Sequence, residues 1–175
     1  MLFCGDEASK SHDAPGHGTK SGGRLTAPLL TYRGAVSASQ CDHMGHMNVA
    51  FYVAKFDEAT WQLFAALGLT RSRLRRENVG MAGVEQHIDY ERELYPGDVV
   101  TITSTVLEIR DKAIRFAHEM RNDETGEIAA RTLLVAVHLD TVTRKARPFP
   151  DDVRERARAM AGDRAASGEP APSGG

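Results

Sequence analysis

Cysteine is scarce in this chain: Cys4 and Cys41 are the only two among 175 residues. Two thiols cannot build a disulfide framework, and they fit a protein kept in the reducing cytoplasm. Long apolar runs are missing as well. None reaches the roughly 18 residues that a membrane span requires, and Met-Leu-Phe-Cys at the start is too short for the apolar region of a secretory signal. No sign of charge dominates. Lys and Arg total 22 against 24 Asp and Glu, a formal net charge of −2 without a long block of either. That balance argues against a nucleic-acid footprint. With no internal repeat, what remains is an ordered composition, 41% hydrophobic and 26% charged, suited to one compact domain.

The ends depart from that composition. Residues 5–23 and 162–175 hold small, charged and turn-forming residues with no apolar period. Neither stretch can bury enough apolar surface to offset its ordering entropy. The expectation is a flexible tail over 1–24, a single domain over 25–160 and a second flexible tail over 161–175.

Within the domain the pattern changes once. Residues 28–37 read as a first strand, and 38–47 as a polar loop. Asn48 is a good helix N-cap, and 49–67 has helical character, closed by Gly68. On that helix Lys55, Glu58 and Gln62 are expected on the solvent face. Val53, Ala54, Trp61 and Phe64 form the apolar side, with Asp57 among them. A carboxylate on an apolar stripe needs a partner, because an unpaired buried charge is costly. Residues 71–77 form a short basic helix or loop, and from there strands dominate. They span 79–90, 99–109, 113–121 and 127–140, the last with Leu133, Val135, Val137 and Leu139 on one face. A terminal helix covers 151–160. One strand, one long helix and then several strands without crossover helices predict an α+β fold, its mainly antiparallel sheet covered by the helix on one face.

Chemistry concentrates in Asp42-His43-Met44-Gly45-His46-Met47-Asn48. Three readings are open. Asp42 could serve as general base or nucleophile while the helix N-terminus near Asn48 and Val49 polarises a carbonyl through its unsatisfied N–H groups. Cys41, Asp42, His43 and His46 could hold a metal, although no second ligand pair lies nearby. Or the segment is a polar loop with Asn48 as its cap. His87, His118 and His138 lie in strands, where packing or surface roles are the common ones.

The pattern formed by Asp42, Gly45, His46, Asn48, Tyr52, Asp57 and Ala59 resembles the hotdog-fold acyl-CoA thioesterases of the 4-hydroxybenzoyl-CoA thioesterase-like family. Residues 89–98, 123–140 and 143–150 resemble that family's later segments, so the likeness covers roughly 28–150. It implies a hotdog fold, a long antiparallel sheet wrapped around one central helix. It also implies hydrolysis of an acyl-CoA thioester to free acid and CoA, with no metal or organic cofactor. Asp42 takes the place of the catalytic carboxylate, and the backbone N–H near Val49 that of the carbonyl-polarising donor. His46 and Asn48 would shape the loop, and Asp57 would orient the loop or a water. Family members pair edge to edge, which implies a homodimer or homotetramer with active sites at the subunit interface. Two places depart from many relatives: Val49 stands where a second Asn is common, and Thr60 where an Arg is common. Arg71, Arg73, Arg75 and Arg76 suit the phosphates of coenzyme A. A non-hydrolytic acyl-CoA-binding hotdog module is the alternative, and Asp42 counts against it.

Overall fold

Runs of β-branched residues build the sheet that carries everything else. In the computed structural model, which describes residues 27–161, β1 (Leu29–Ala35), β2 (Val79–Tyr90), β3 (Val99–Ile109), β4 (Ala113–Asn122) and β5 (Ile128–Asp140) form one sheet. All its ladders are antiparallel, and the spatial order is β1-β3-β4-β5-β2. The first and second strands are therefore its two edges. Between them in sequence come α1 (Val49–Ala66) and α2 (Arg71–Glu77), and α3 (Asp151–Ala161) closes the described span. The α+β architecture is the one the sequence predicts. The two tails expected over 1–24 and 161–175 fall outside the described residues, apart from Ala161, which ends α3.

The face that α1 buries differs from the expectation. Tyr52, Phe56, Ala59, Thr60, Leu63 and Phe64 are buried against the sheet, whereas Val53, Ala54, Asp57 and Trp61 are exposed. Lys55, expected in solvent, is only 2% exposed. Both faces of this helix carry apolar side chains, so periodicity alone cannot choose between them. The sheet selects the set with Phe56 and Leu63, which fills more volume. Lys55 is accommodated because its ammonium reaches past the core. It donates to the Tyr32 hydroxyl at 2.9 Å and the Ala35 carbonyl at 3.4 Å, and lies 5.1 Å from the Tyr32 ring centroid.

The last strand keeps its four large aliphatic residues on one face, as the sequence predicts. Leu133, Val135, Val137 and Leu139 are half-buried on the outer face, while Ala130, Thr132, Ala136 and His138 are buried on the other. Small side chains beneath a helix let it sit close to the sheet. Two buried clusters follow the length of α1. One surrounds Phe56, Met47, Ile102 and Met120 near its first half, and the other surrounds Leu63, Phe116, Phe149 and Val153 near its end.

Polar atoms in this interior are joined in a line. The Thr31 and Ser104 hydroxyls are 2.6 Å apart, and the Ser104 hydroxyl is 2.6 Å from His118 Nδ1. His118 Nε2 is 2.9 Å from Thr60 Oγ1, which donates to the Phe56 carbonyl at 2.9 Å. Donors running from Thr31 to Phe56 satisfy a neutral imidazole. Thr60 thus faces the sheet, while Asp57, one turn earlier on the neighbouring flank of the helix, is exposed.

Burial pushes the His118 imidazole down to about 4. The sign follows directly. Below about pH 6.5 the unfolded chain takes up a proton that the folded chain refuses, so stability present above that pH is lost as pH falls towards 4. The full effect is on the order of 3 kcal/mol. Denaturant titrations at pH 7.5 and 4.5 should show the wild type losing more stability than His118→Gln. Equal losses would separate His118 from the acid response.

Candidate active site

The loop before α1 is closed by its own backbone. Cys41 and Met47 form an isolated antiparallel bridge. The Asp42 N–H donates to the His46 carbonyl at 3.2 Å, and the Gly45 N–H to the Asp42 carbonyl at 3.0 Å. Gly45 has φ +87°, a left-handed conformation that a side chain would strain. Buried Met47 fixes the base: its N–H donates to the Leu94 carbonyl at 2.7 Å, while the Asn48 N–H donates to the Gln40 carbonyl at 2.9 Å.

On that base Asp42 is held by two neutral donors. The Met44 N–H donates to one carboxylate oxygen at 2.9 Å, and the Asn48 side-chain amide to the other at 2.9 Å. Asn48 also caps the helix, its Oδ1 accepting from the Ala50 N–H at 3.0 Å. One side chain therefore ties the carboxylate to the start of α1. The Met44 N–H, and after it the Asn48 amide, hold the Asp42 carboxyl below the usual carboxylate range, with His46 and His43 adding smaller attractions. It is an anion throughout the neutral range, with part of its surface open to solvent.

The first backbone donors of the helix are not all spent. Asn48 takes the N–H groups of Ala50 and, through its carbonyl, Phe51 at 2.9 Å. The Val49 N–H has no partner among the described residues, and Val49 is exposed. It carries the partial positive charge of a helix N-terminus. Replacing a side-chain amide by Val at this place leaves that donor untouched.

The two histidines of the loop differ in their contacts. His46 is half-buried, with Nδ1 3.4 Å from the Met47 carbonyl and Nε2 3.6 Å from Glu93. His43 and Met44 are exposed. The Cys41 thiol points to the Ser37 carbonyl at 3.7 Å. Among the described residues no three His, Cys, Asp or Glu side chains converge to hold a metal ion.

Asp57 is not buried, which corrects the sequence expectation. Val49, Val53, Asp57 and Trp61 follow one another at four-residue steps along the open face of α1. Asp57 has no hydrogen-bonding or ionic partner among the described residues. It stands eight residues past Val49, about 12 Å along the helix, so it shares a face with the free N–H but lies well away from Asp42 in the same chain.

The segment after β2, part of the resemblance over 89–98, contributes to the site through contacts that spacing along the chain does not give. Leu94 receives the loop's N–H, Tyr52 donates to the Arg92 carbonyl at 3.1 Å, and Tyr95 donates to Glu93 at 2.6 Å. The resemblance gives this stretch no task of its own; in the structure it is a contact between distant segments. The arginines of α2 divide in two. Arg73 is clamped by Asp152 at 2.7 and 2.9 Å and by Glu77 at 3.0 Å. Asp152 raises its guanidinium pKa first among the causes, and that clamp makes Arg73 a tie between α2 and α3. Arg71, Arg75 and Arg76 are exposed and follow the C-terminal end of α1, an 18-residue helix about 27 Å long.

Comparison with known proteins agrees with this fold. Residues 36–157 match the model of the thioesterase-like superfamily. A betainyl-CoA thioesterase of Pseudomonas aeruginosa is 26% identical over 137 residues, covering 78% of this chain and 86% of that protein. A long-chain acyl-CoA thioesterase of Escherichia coli is 27% identical over 119 residues, covering 66% and 86%. Among solved structures, a Staphylococcus aureus protein crystallised in complex with CoA superposes with a TM-score of 0.75 at 19% identity, covering 89% of this chain and 94% of that one.

Proposed function

We propose a catalytic role for Asp42 on this premise: the chain belongs to the thioesterase-like superfamily and is a hotdog-fold acyl-CoA thioesterase. The reaction adds water across the thioester, giving a free carboxylic acid and the thiol of CoA. The observation that carries the assignment is the link through Asn48 between an ionised carboxylate and a helix N-terminus with a free N–H. Asp42 acts on the thioester carbonyl, as general base towards water or as nucleophile. The Val49 N–H accepts the charge that develops on the carbonyl oxygen. Asn48 aims the carboxylate, and His46 keeps the loop in place through Glu93 and its own backbone contacts.

The working unit we propose is a homodimer, or a tetramer built from it, joined along β2. This strand has 12 residues, only one of them buried, and its outer edge is open among the described residues. A long open edge is a pairing surface that proteins rarely leave bare. Pairing there would extend the sheet and set the open stripe of α1 against a second copy. Asp57 lies too far along its own helix to reach the water that Asp42 would activate, so we place its action across that interface. Cys41 as a free thiol supports a cytoplasmic setting, and no helix of the described residues is long and apolar enough to cross a membrane.

The relatives named above act on a small cationic acyl group and on long acyl chains, so the acyl group of this enzyme is open to measurement. Short, long and aromatic acyl-CoAs should be assayed for CoA release with a thiol reagent. At least one class should release CoA without added metal. Tight binding of every acyl-CoA with no free thiol would replace hydrolysis by a binding role.

A further inference from the structure

A second cavity lies at the other end of the molecule from Asp42. It encloses about 300 Å³ between α3, the start of β1 and the middle of β3. Leu29, Leu63, Val106, Ala159 and Met160 line it, with Arg156 among its walls. Leu63 stands 14 residues past Val49, about 21 Å along α1. The cavity therefore belongs neither to the loop around Asp42 nor to the β2 edge.

Its chemistry is one-sided. The walls are aliphatic except at Ser104, Thr105 and Arg156. Ser104 also lines the space, but its hydroxyl is already engaged by Thr31 and His118 at 2.6 Å each. It offers a visitor little. Arg156 differs. Its ion pair with Asp152 is loose, at 3.8 Å, and Asp152 is more tightly held by the two-pronged contact with Arg73. The guanidinium rests beside Gly68, which follows α1 with φ +91°, so close that a Cβ there would lie 2.5 Å from Nη1. A helix C-terminus attracts cations, and the guanidinium groups of both Arg156 and Arg73 lie beside this one. About half of its side chain is exposed, so its remaining donors are accessible from solvent.

A largely aliphatic slot with a loosely paired, half-exposed guanidinium among its walls matches a molecule with a slender apolar chain and one anionic head. The volume stands at the lower limit of small-molecule sites, which suits a single chain rather than a ring system or a nucleotide. We infer that this cavity binds a fatty carboxylate, the chain among Leu29, Leu63, Val106 and Met160 and the carboxylate on Arg156. The site is separate from the hydrolytic one and goes beyond the function proposed above. Fatty carboxylates are one class of acid that thioester hydrolysis releases, so occupancy would let the enzyme sense such a product away from the reaction centre.

The test is calorimetry of the full-length protein with decanoate below its micelle concentration, together with methyl NMR. One decanoate per chain should bind, and the methyl signals of Leu63 and Val106 should shift. Ala159→Trp, on the exposed rim of α3, should fill the slot and abolish binding. Arg156→Gln should weaken binding about tenfold or more, Arg156→Lys should recover part of it, and decanol should bind as poorly as decanoate does to the Gln variant. CoA release from acyl-CoA should persist in these variants, which keeps the outcome independent of the hydrolytic assignment. Absence of binding overturns the inference. Binding that survives both Ala159→Trp and Arg156→Gln would place decanoate at the Asp42 loop and overturns it equally.

Discussion

Asp42→Asn should lower kcat by about a hundred- to ten-thousand-fold, the usual contribution of a positioned acid–base group. The substitution keeps the shape and one acceptor oxygen. It turns the other oxygen into an amide that cannot accept from Met44 or Asn48. On a partly open loop the loss of one such bond costs about 1 kcal/mol, so the thermal midpoint should stay close to that of the wild type. Chemistry and folding are thereby separated. The wild-type pH profile gives a second readout. The carboxylate must be ionised to act, and its pKa is lowered by the Met44 N–H and the Asn48 amide. The acid limb of kcat/KM should therefore fall below the ordinary carboxylate range, with no decline attributable to Asp42 between neutrality and that limb. Near wild-type turnover by the folded Asn variant would remove Asp42 from the mechanism.

Placing lysines at Val84 and Gln86 together should convert the protein to monomers and reduce turnover at least a hundredfold. Val84 is 61% exposed and sits where β2 bulges between Gly83 and Glu85, near the middle of the strand. In a twofold antiparallel pair, residues near the middle face their own copies, so each lysine meets another lysine. Neither residue belongs to the buried core, so each protomer should retain its fold. Light scattering would report the mass and CoA release the rate. A variant that stays dimeric would move the interface away from β2. A fully active monomer would show that one chain suffices, and Asp57 would then lose its proposed task across the interface.

Why some features were legible in the residues and others were not follows from the range of the forces involved. Asn48 as helix cap and the spans of β2 and β3 depend on neighbours a few residues away, and local preferences specify them. The order of one strand, one helix and then several strands leaves few ways to cover an apolar face, so the α+β class followed as well. The loop from Asp42 to Asn48 could be picked out because its residue types and spacing match one family's pattern. Its chemistry, however, rests on a hydrogen bond from Asn48 to a carboxylate six residues back and on an anchor at Leu94, which are matters of geometry.

The helix teaches the opposite lesson. Val53 and Trp61 are as apolar as Ala59 and Leu63, so the sequence offered two faces and no reason to prefer either. Only the sheet, by packing Phe56 and Leu63 over Ile102 and Phe116, turned Asp57 outward and drew Lys55 into the interior. By itself the chain determined its elements, its fold class and the carboxylate at the start of its helix, because each is a local or patterned property. Tertiary structure decided which face of α1 is buried, that Arg73 is a tie between helices, and that an aliphatic slot opens beside Arg156. These depend on which distant surfaces meet, and no spacing along the chain encodes that directly.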